Sequence, residues 1–462
     1  MSELMIESLR TALPAERFST SEDVLTSYAV DQGPVLDRWM PAAVVWAESI
    51  GDVQVVMRLA DRHGVPVVCR GAGTGLSGGA HATSGSVVLS LERMNRILEI
   101  HPEDEVARVE PGVINADLNA AAAKHGLMYA PDPASYKLST IGGNIATNAG
   151  GLRCAKYGVT RESVLGLDVV LADGSLISTG RRTFKGVAGY DLTGLFVGSE
   201  GTLGVVVGAT LRLRYLPTDV QTIAAFFPEV TTAAAGVLAV GKARVQPSIM
   251  ELLDGHTLAQ LDQDQGSDLR RRGGALLLIQ TDGYGAGIEA TIIRGVLEEL
   301  GATVTAEVSE EAVQLVELRR HSRGAEIDDV FRVGEDVAVP RSQLVHYIAE
   351  LERIAAERGV GLKVVAHAGD GNLHPMFWVP AGQSEKIPVL DAALDESIEV
   401  GLRLGGTITG EHGVGQYKLR WLPLEQREEV LELQRGIKEL FDPKDLLNPG
   451  KALPERVEPQ VS

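Results

Sequence analysis

Arg70-Gly71-Ala72-Gly73-Thr74-Gly75-Leu76-Ser77-Gly78-Gly79 follows directly on the apolar run Val65-Pro66-Val67-Val68. Within it, Gly73-Thr74-Gly75-Leu76-Ser77-Gly78 has the spacing of a dinucleotide fingerprint. That fingerprint needs a helix immediately afterwards, because the helix N-terminus receives the pyrophosphate. Here the chain continues as Ala80-His81-Ala82-Thr83-Ser84-Gly85-Ser86-Val87-Val88, a turn running into a strand, so the Rossmann reading is rejected. What remains is a flexible loop with many exposed N–H groups, able to wrap an anion because glycine tolerates positive φ. Alone, the segment is explained equally well by a plain turn-rich loop.

Outward from this loop the pattern is α/β on the N-terminal side. Ala43–Trp46 and Val65–Val68 read as strands and Asp52–Ala60 as the helix between them. Residues 1 to about 40 read as helical and then irregular. From about Ser86 to Leu213 the strands shorten and glycine turns multiply. Ser86–Ser90, Ala107–Glu110, Leu167–Leu171 and Thr202–Val207 predict an α+β region with antiparallel pairing. Leu216-Pro217-Thr218 marks a boundary, since proline ends a strand. A second α+β unit follows, with strands over Val220–Phe227 and Ala275–Gln280 and helices over Glu289–Leu300 and Arg341–Arg358. A helix over 425–445 is broken by Asp445-Leu446-Leu447-Asn448-Pro449-Gly450-Lys451. The expected division is 1–217, 218–410, 411–453, and a polar tail at 454–462.

Two further segments shift the balance on the glycine loop. In Pro131-Asp132-Pro133-Ala134-Ser135-Tyr136-Lys137-Leu138-Ser139-Thr140-Ile141-Gly142-Gly143-Asn144-Ile145-Ala146-Thr147-Asn148-Ala149-Gly150-Gly151, small residues dominate and hydroxyls and amides are interleaved. A surface loop does not need so many small apolar residues, and a core element does not need so many glycines. Close packing of backbone against a large planar ligand explains both. The third segment, Gly198-Ser199-Glu200-Gly201-Thr202-Leu203-Gly204-Val205-Val206, turns into a strand.

These three segments, together with Lys156-Tyr157-Gly158, Leu171-Ala172-Asp173-Gly174 and Asn448-Pro449-Gly450-Lys451, resemble the vanillyl-alcohol oxidase / p-cresol methylhydroxylase flavoprotein superfamily. The D-lactate dehydrogenase / glycolate oxidase branch is the nearest, and the likeness runs from about residue 40 to 453. It implies an α+β fold: a two-subdomain FAD-binding domain of the p-cresol methylhydroxylase type, an α+β substrate (cap) domain, and a C-terminal segment returning to the FAD domain. The implied FAD contacts are Arg70, Gly71, Ala72, Gly73, Thr74, Gly75, Leu76, Ser77 and Gly78 in the first segment. In the second they are Pro131, Asp132, Ser135, Thr140, Gly142, Gly143, Asn144, Thr147, Asn148, Gly150 and Gly151. Glu200, Gly201, Gly204, Val205 and Asn448 complete them. Relatives that bind flavin covalently use a histidine in the first loop; Thr74 stands there, so non-covalent FAD is expected.

Three of the 10 histidines sit in two glycine-rich motifs. In Val364-Val365-Ala366-His367-Ala368-Gly369-Asp370-Gly371-Asn372-Leu373-His374-Pro375, Asp370-Gly371 signals a tight turn between apolar runs. A hairpin would set His367 and His374 opposite each other across the turn, an arrangement suited to one metal ion. In Gly405-Gly406-Thr407-Ile408-Thr409-Gly410-Glu411-His412-Gly413-Val414-Gly415, the adjacent Glu411 and His412 point apart and so take different jobs. The resemblance implies a divalent metal, zinc first, on His367, His374 and Glu411, with His412 as base. Asp370 and Asn372 are expected to orient the ligands. It also implies that Arg319, in Leu318-Arg319-Arg320-His321-Ser322-Arg323, clamps the substrate carboxylate; Arg320 and Arg323 compete for that role.

Composition narrows the rest. A net charge of -19 disfavours nucleic acid as a partner. Two cysteines, Cys69 and Cys154, exclude a four-cysteine iron–sulfur cluster within this chain. No run approaches the roughly 18 apolar residues of a membrane helix, and the N-terminus lacks the pattern of a signal or transit peptide. A cytoplasmic location is expected, with peripheral contact at the inner membrane face left open. The expected activity is FAD-dependent oxidation of a D-2-hydroxy acid, of D-lactate or glycolate type, to the 2-oxo acid. The acceptor is a quinone, a cytochrome, an electron-transfer flavoprotein or a separate iron–sulfur protein, and a homodimer is an open assembly. A D-2-hydroxyglutarate dehydrogenase and an ether-lipid synthase-like flavin transferase are the rivals. Gly334 stands where relatives acting on a dicarboxylic hydroxy acid tend to carry a lysine.

Overall fold

The computed structural model describes residues 2–305, 310–320 and 330–456, without the side chains of 310–313. The chain divides into two compact units. One holds Met1–Ala149, Val159–Leu216 and His412–Ser462; the other holds Gly150–Gly158 and Pro217–Glu411.

The first unit has two main sheets. In one, the strands Ala43–Trp46, Val87–Ser90 and Val67–Arg70 run parallel, and Phe18–Ser19 pairs antiparallel on the edge. The helix Ile50–His63 makes the crossover. Ser49 and Asp52 form a capping box at its start, and Gly64, in the left-handed region, ends it. Val53, Val56 and Met57 from this helix bury against Val45, Val67 and Leu89. The other sheet is antiparallel, in the order Ile97–His101, Val106–Val109, Val205–Arg212, Val164–Val170, Leu176–Gly180. The stretch between Arg70 and Val87 contains no helix, as the sequence reading required.

The second unit is built on an antiparallel sheet. Its order is Thr303–Val304, Val220–Phe227, Ala275–Asp282, Ile249–Asp254, Gly361–His367, Asn372–Pro380, Val330–Gly334, with Val337–Ala338 also on Asn372–Pro380. Helices pack on it, among them Val230–Lys242, Ala286–Glu299, Leu344–Arg358 and Ile387–Arg403, while Gly255–Gln265 and Glu310–Arg320 share a core with Leu253, Leu276 and Leu278. Arg341–Gln343, expected as helix, is a 3-10 turn leading into Leu344–Arg358.

The division differs from the expected one at Glu411, which falls with the second unit rather than with the C-terminal segment, and at Gly150–Gly158. These nine residues, expected in the flavin domain, fold with the second unit. The cause is local. Lys156 Nζ bonds the Asp282 carboxylate and also donates to the Asp282 carbonyl (3.0 Å), while Tyr157 OH donates to Asp282 Oδ2 (2.8 Å). Gln246 Nε2 holds the Ala155 carbonyl at 2.9 Å. The segment is thereby strapped to the end of the strand Ala275–Asp282.

Candidate active site

Within the first unit, the glycine-rich pieces converge through their backbones. A Cβ on Gly71 would lie 2.3 Å from Thr140 Oγ1, and one on Gly73 (φ +69°) would lie 2.0 Å from Arg70 Nη2. A side chain at either position would have to displace these groups, and the positive φ at 73 favours glycine in its own right. Thr140 caps the short helix Ile141–Thr147 by accepting from Gly143 N, and Asn148 ends it in the left-handed region. Gly142 packs so tightly that a Cβ would meet Pro111 Cβ at 2.6 Å. Thr147 Oγ1 donates to the Gly143 carbonyl. Glu200 N donates to the Ala146 carbonyl (2.8 Å), which seats the third segment on this helix. Asn448 Nδ2 then ties two pieces together, donating to the Glu200 carbonyl (2.7 Å) and the Gly79 carbonyl (2.9 Å).

Polar groups in this unit are poised for a ligand. The Asn144 amide nitrogen is buried with no hydrogen-bond partner among the described residues. Glu200 and Gly201 both take positive φ (53° and 73°). The Glu200 carboxylate accepts from Val414 N (2.8 Å) and Gly415 N (2.7 Å), yet burial pushes its carboxyl above the usual range. Pro131, Asp132 and Ser135 lie in the connection leading to the Thr140 cap. Ala72, Thr74, Gly75 and Leu76 are half-buried in the first loop, and Gln32 N donates to the Gly75 carbonyl. Ser77 Oγ donates to the carbonyls of His412 (3.2 Å) and Gly413 (2.9 Å). Gly78 has φ +76°. Gly204 fits against Val169, and the Val205 side chain lies in the hydrophobic core, so Val205 offers a cofactor only its backbone. These cradles, which a Cβ would fill, and the orphaned Asn144 amide fit a large dinucleotide.

Lys451, which the sequence reading did not pick out, joins this network. Its ammonium is buried and donates to Asn448 Oδ1 (2.7 Å), to the Gly79 carbonyl (3.1 Å) and to the His81 carbonyl. Burial pushes its pKa down to about 7. The available signal was a lysine closing the rigid Asn-Pro-Gly turn.

In the second unit, the hairpin forms with the turn Ala368–Gly371. His367 pairs with Asn372, while His374 lies opposite Val365. The two histidines are therefore diagonal neighbours on one face rather than direct partners as expected. The four-residue turn sets that register, and the same-face diagonal still brings long side chains together. Their rings lie 5.2 Å apart and nearly perpendicular (89°). Glu411 Oε1 is 3.2 Å from His367 Nε2 and 3.3 Å from His374 Nε2. One donor atom from each of the three lies within 4.8 Å of the others. Two imidazoles and a carboxylate form a donor set that suits zinc, iron or manganese.

The electrostatics of this trio are mutual. Burial alone would strip the charge from His367, but the Glu251 and Glu411 carboxylates reverse this and hold it well above the usual imidazole range. Burial likewise opposes ionisation of Glu411, and the two imidazoles outweigh it, holding Glu411 well below the carboxylate range. Each such charge-assisted contact is stronger than a neutral hydrogen bond.

Asp370 N donates to the His367 carbonyl in the turn, and its carboxyl, pushed up by burial to about 6, is drawn toward ionisation by His367. Asn372 packs against Gly410, where a Cβ would come within 2.4 Å of its side chain. Glu251, which the sequence reading did not pick out, has Oε1 2.7 Å from His367 Nδ1. Asp336 accepts from Glu411 N (3.0 Å) and Thr409 Oγ1 (2.8 Å). Gly150, expected at the flavin, lies against the Glu411 carboxylate, where a Cβ would be 2.5 Å from Oε2. Gly151 belongs to the same strap.

The Arg319 side chain is 5% exposed, with Nε 2.6 Å from Glu251 Oε2. Arg320 Nε is 3.7 Å from the exposed Glu317. His321 and Arg323 lie outside the described residues. His412, next in sequence to Glu411, is the first residue of the returning segment of the flavin unit.

Comparison with known proteins agrees with this anatomy. Residues 41–180 match the profile described as "FAD binding domain", and residues 216–452 match "FAD linked oxidases, C-terminal domain". This chain belongs to the FAD-linked oxidase family. It is 40% identical over 441 residues to the glycolate oxidase subunit GlcD of Bacillus subtilis, covering 94% of each chain. It is 36% identical to a D-lactate dehydrogenase of Archaeoglobus fulgidus, covering 92% of this chain and 95% of that one. Its fold matches p-cresol methylhydroxylase with a TM-score of 0.78 at 18% identity, covering 97% and 96% of the two chains. The expected α+β architecture with a p-cresol methylhydroxylase-type FAD fold is therefore correct, and the chain is an FAD-linked oxidoreductase. Among the described residues, no helix is long and apolar enough to cross a membrane.

Proposed function

We propose that this oxidoreductase converts a D-2-hydroxy acid of the D-lactate or glycolate class into the 2-oxo acid, using non-covalent FAD and a divalent cation, zinc first. The observation that carries this reading is the convergence of His367 Nε2, His374 Nε2 and the Glu411 carboxylate. The names borne by the two relatives agree with it. When bound, the flavin supplies the acceptor for the Cα hydride, and the cation supplies the charge that lowers the pKa of the substrate hydroxyl.

The chain's own residues do the rest. His367, His374 and Glu411 hold the cation. His412 removes the hydroxyl proton, work to which an imidazole is suited near neutral pH. The substrate carboxylate is assigned to Arg320, at the end of the same helix as Arg319, because the Arg319 guanidinium is taken by Glu251. A planar fork there would fix the carboxylate in two dimensions and so orient Cα. Turnover would need an external electron acceptor: a quinone, a cytochrome, an electron-transfer flavoprotein or an iron–sulfur protein.

The test is anaerobic bleaching of the bound flavin by a panel of D- and L-2-hydroxy acids, with and without chelator. Rapid bleaching by D-lactate or glycolate, lost on chelation, is expected. Bleaching by L-acids alone, or indifference to chelator, overturns the proposal. Bleaching by D-2-hydroxyglutarate in preference would select the dicarboxylate alternative. His412→Ala should keep the flavin spectrum and lose bleaching.

A further inference from the structure

Glu251 is the third residue of the strand Ile249–Asp254 and pairs directly with His367 across the antiparallel ladder. Such partners hold their Cβ atoms about 5 Å apart, so the register alone sets these two side chains together. The Glu251 side chain is fully buried, 0% exposed. A carboxylate in that position is costly unless it is paired and hydrogen-bonded. Its Oε1 is hydrogen-bonded and its Oε2 is ion-paired. Oε1 lies 2.7 Å from His367 Nδ1, and Oε2 lies 2.6 Å from Arg319 Nε.

The two nitrogens of His367 therefore face different carboxylates. Nε2 faces Glu411, a member of the donor trio, and Nδ1 faces Glu251 on the far side of the ring. Glu251 is thus outside the donor set but touches one of its members. We propose that Arg319 and Glu251 form a relay that positions His367 for the cation: Glu251 keeps the ring proton on Nδ1, and Arg319 keeps Glu251 aimed. This rests on the reading of the trio as a metal site and deepens it by naming what governs its affinity. In this relay both are positioning residues, acting on the cation through His367.

The chemistry is specific to these residue types. A carboxylate accepting from Nδ1–H leaves the Nε2 lone pair pointing into the trio and raises its basicity. A glutamine at 251 has one oxygen and one amide group. Turning the oxygen to Nδ1 would face its amide hydrogens to the Arg319 guanidinium, donor against donor. Arginine's fixed fork also differs from lysine's single rotatable ammonium, so Arg319→Lys should keep the charge and lose the aim.

The experiment is a zinc titration of chelator-stripped, flavin-loaded protein against a chromophoric competitor, with the cobalt-loaded absorption spectrum as a second readout. Glu251→Gln is expected to weaken zinc binding by about 10- to 100-fold and to shift the cobalt bands, with the FAD-to-protein ratio unchanged. Because Glu251→Gln alone leaves a buried guanidinium without its counter-charge, the double variant Glu251→Gln/Arg319→Met keeps the test sound. It should show the same loss of zinc affinity while retaining flavin. Arg319→Lys should fall between wild type and Arg319→Met. Zinc affinity of the double variant within twofold of wild type, with unaltered cobalt bands, overturns the relay. If the wild type binds zinc no better than His374→Ala, the metal reading itself falls, and the relay with it.

Discussion

Around Gly71 and Gly73, the flavin unit builds its site by leaving side chains out; around His367, the second unit builds its site by putting them in. In the first case a Cβ would collide with Thr140 or Arg70 at 2.3 or 2.0 Å. In the second, the imidazoles of His367 and His374 and the Glu411 carboxylate carry the chemistry, and Glu251 and Asp336 hold them from behind. The contrast teaches what each site tolerates. A backbone cradle is damaged by added atoms. A side-chain cluster is damaged by removed atoms and depends on its neighbours' ionisation.

The largest effect should come from breaking the cradle. Gly73→Val combines a β-branched residue at φ +69° with a clash on Arg70. Backbone strain of about 1–2 kcal/mol and overpacking of about 1–3 kcal/mol act together. The purified variant should be nearly colourless, with flavin absorbance relative to protein down at least about tenfold. Retention of full yellow colour would show that the loop does not hold the cofactor. Next, His374→Ala should leave the flavin in place and abolish substrate bleaching, with zinc affinity falling by more than the ~10–100-fold expected for a residue behind the ligands. Equal loss of flavin in both variants would erase the contrast between the two sites.

A smaller effect is expected where the strap meets the second unit. Asp282→Asn removes the counter-charge of Lys156 and leaves one acceptor oxygen where Lys156 and Tyr157 now use two. It should destabilise the protein by about 1–3 kcal/mol, read in a denaturant melt. Flavin content should be less affected than in Gly73→Val. The smallest is a pH effect at Lys451. Its folded pKa, about 7, lies below the ordinary lysine value because burial disfavours the charged ammonium, with Arg70 adding to the effect and Asp31, Glu200 and Cys69 opposing it. The unfolded chain therefore binds more protons between pH 7 and the ordinary lysine range. Stability contributed by this site rises with pH through that window and is flat below it. Comparing melts of wild type and Lys451→Met from pH 6 to 10 should show the wild type gaining on the variant only above about pH 7, by no more than about 1.4 kcal/mol per pH unit. A constant gap would mean the ammonium stays charged.

What the sequence revealed follows from the same contrast. Glycine runs are legible because only close backbone approach demands them, and the absence of a helix after Gly79 could be read from Ser86-Val87-Val88. The hairpin and its histidines were legible from Asp370-Gly371 between apolar runs. Register was not: whether His374 faces His367 or Val365 depends on the number of residues in the turn, which apolar periodicity does not fix. Glu251 was invisible for a different reason. It sits 116 positions from His367 in a strand of apolar neighbours, and only the pairing of the two strands makes it a partner. Arg319 and Arg320 are adjacent in sequence and alike in chemistry. Helix geometry sends neighbours to different directions, and that alone separates the residue spent on Glu251 from the one assigned to substrate.

The strap Gly150–Gly158 has a consequence for dissection. The second unit is not a continuous stretch, because it takes nine residues from a point 59 positions ahead of its main run at Pro217. A fragment spanning only Pro217–Glu411 would expose Asp282 without Lys156 and Tyr157 and the Glu411 carboxylate without Gly150. Swapping this module between relatives therefore calls for two exchanged pieces, and a single-cut chimaera inherits a mismatched strap.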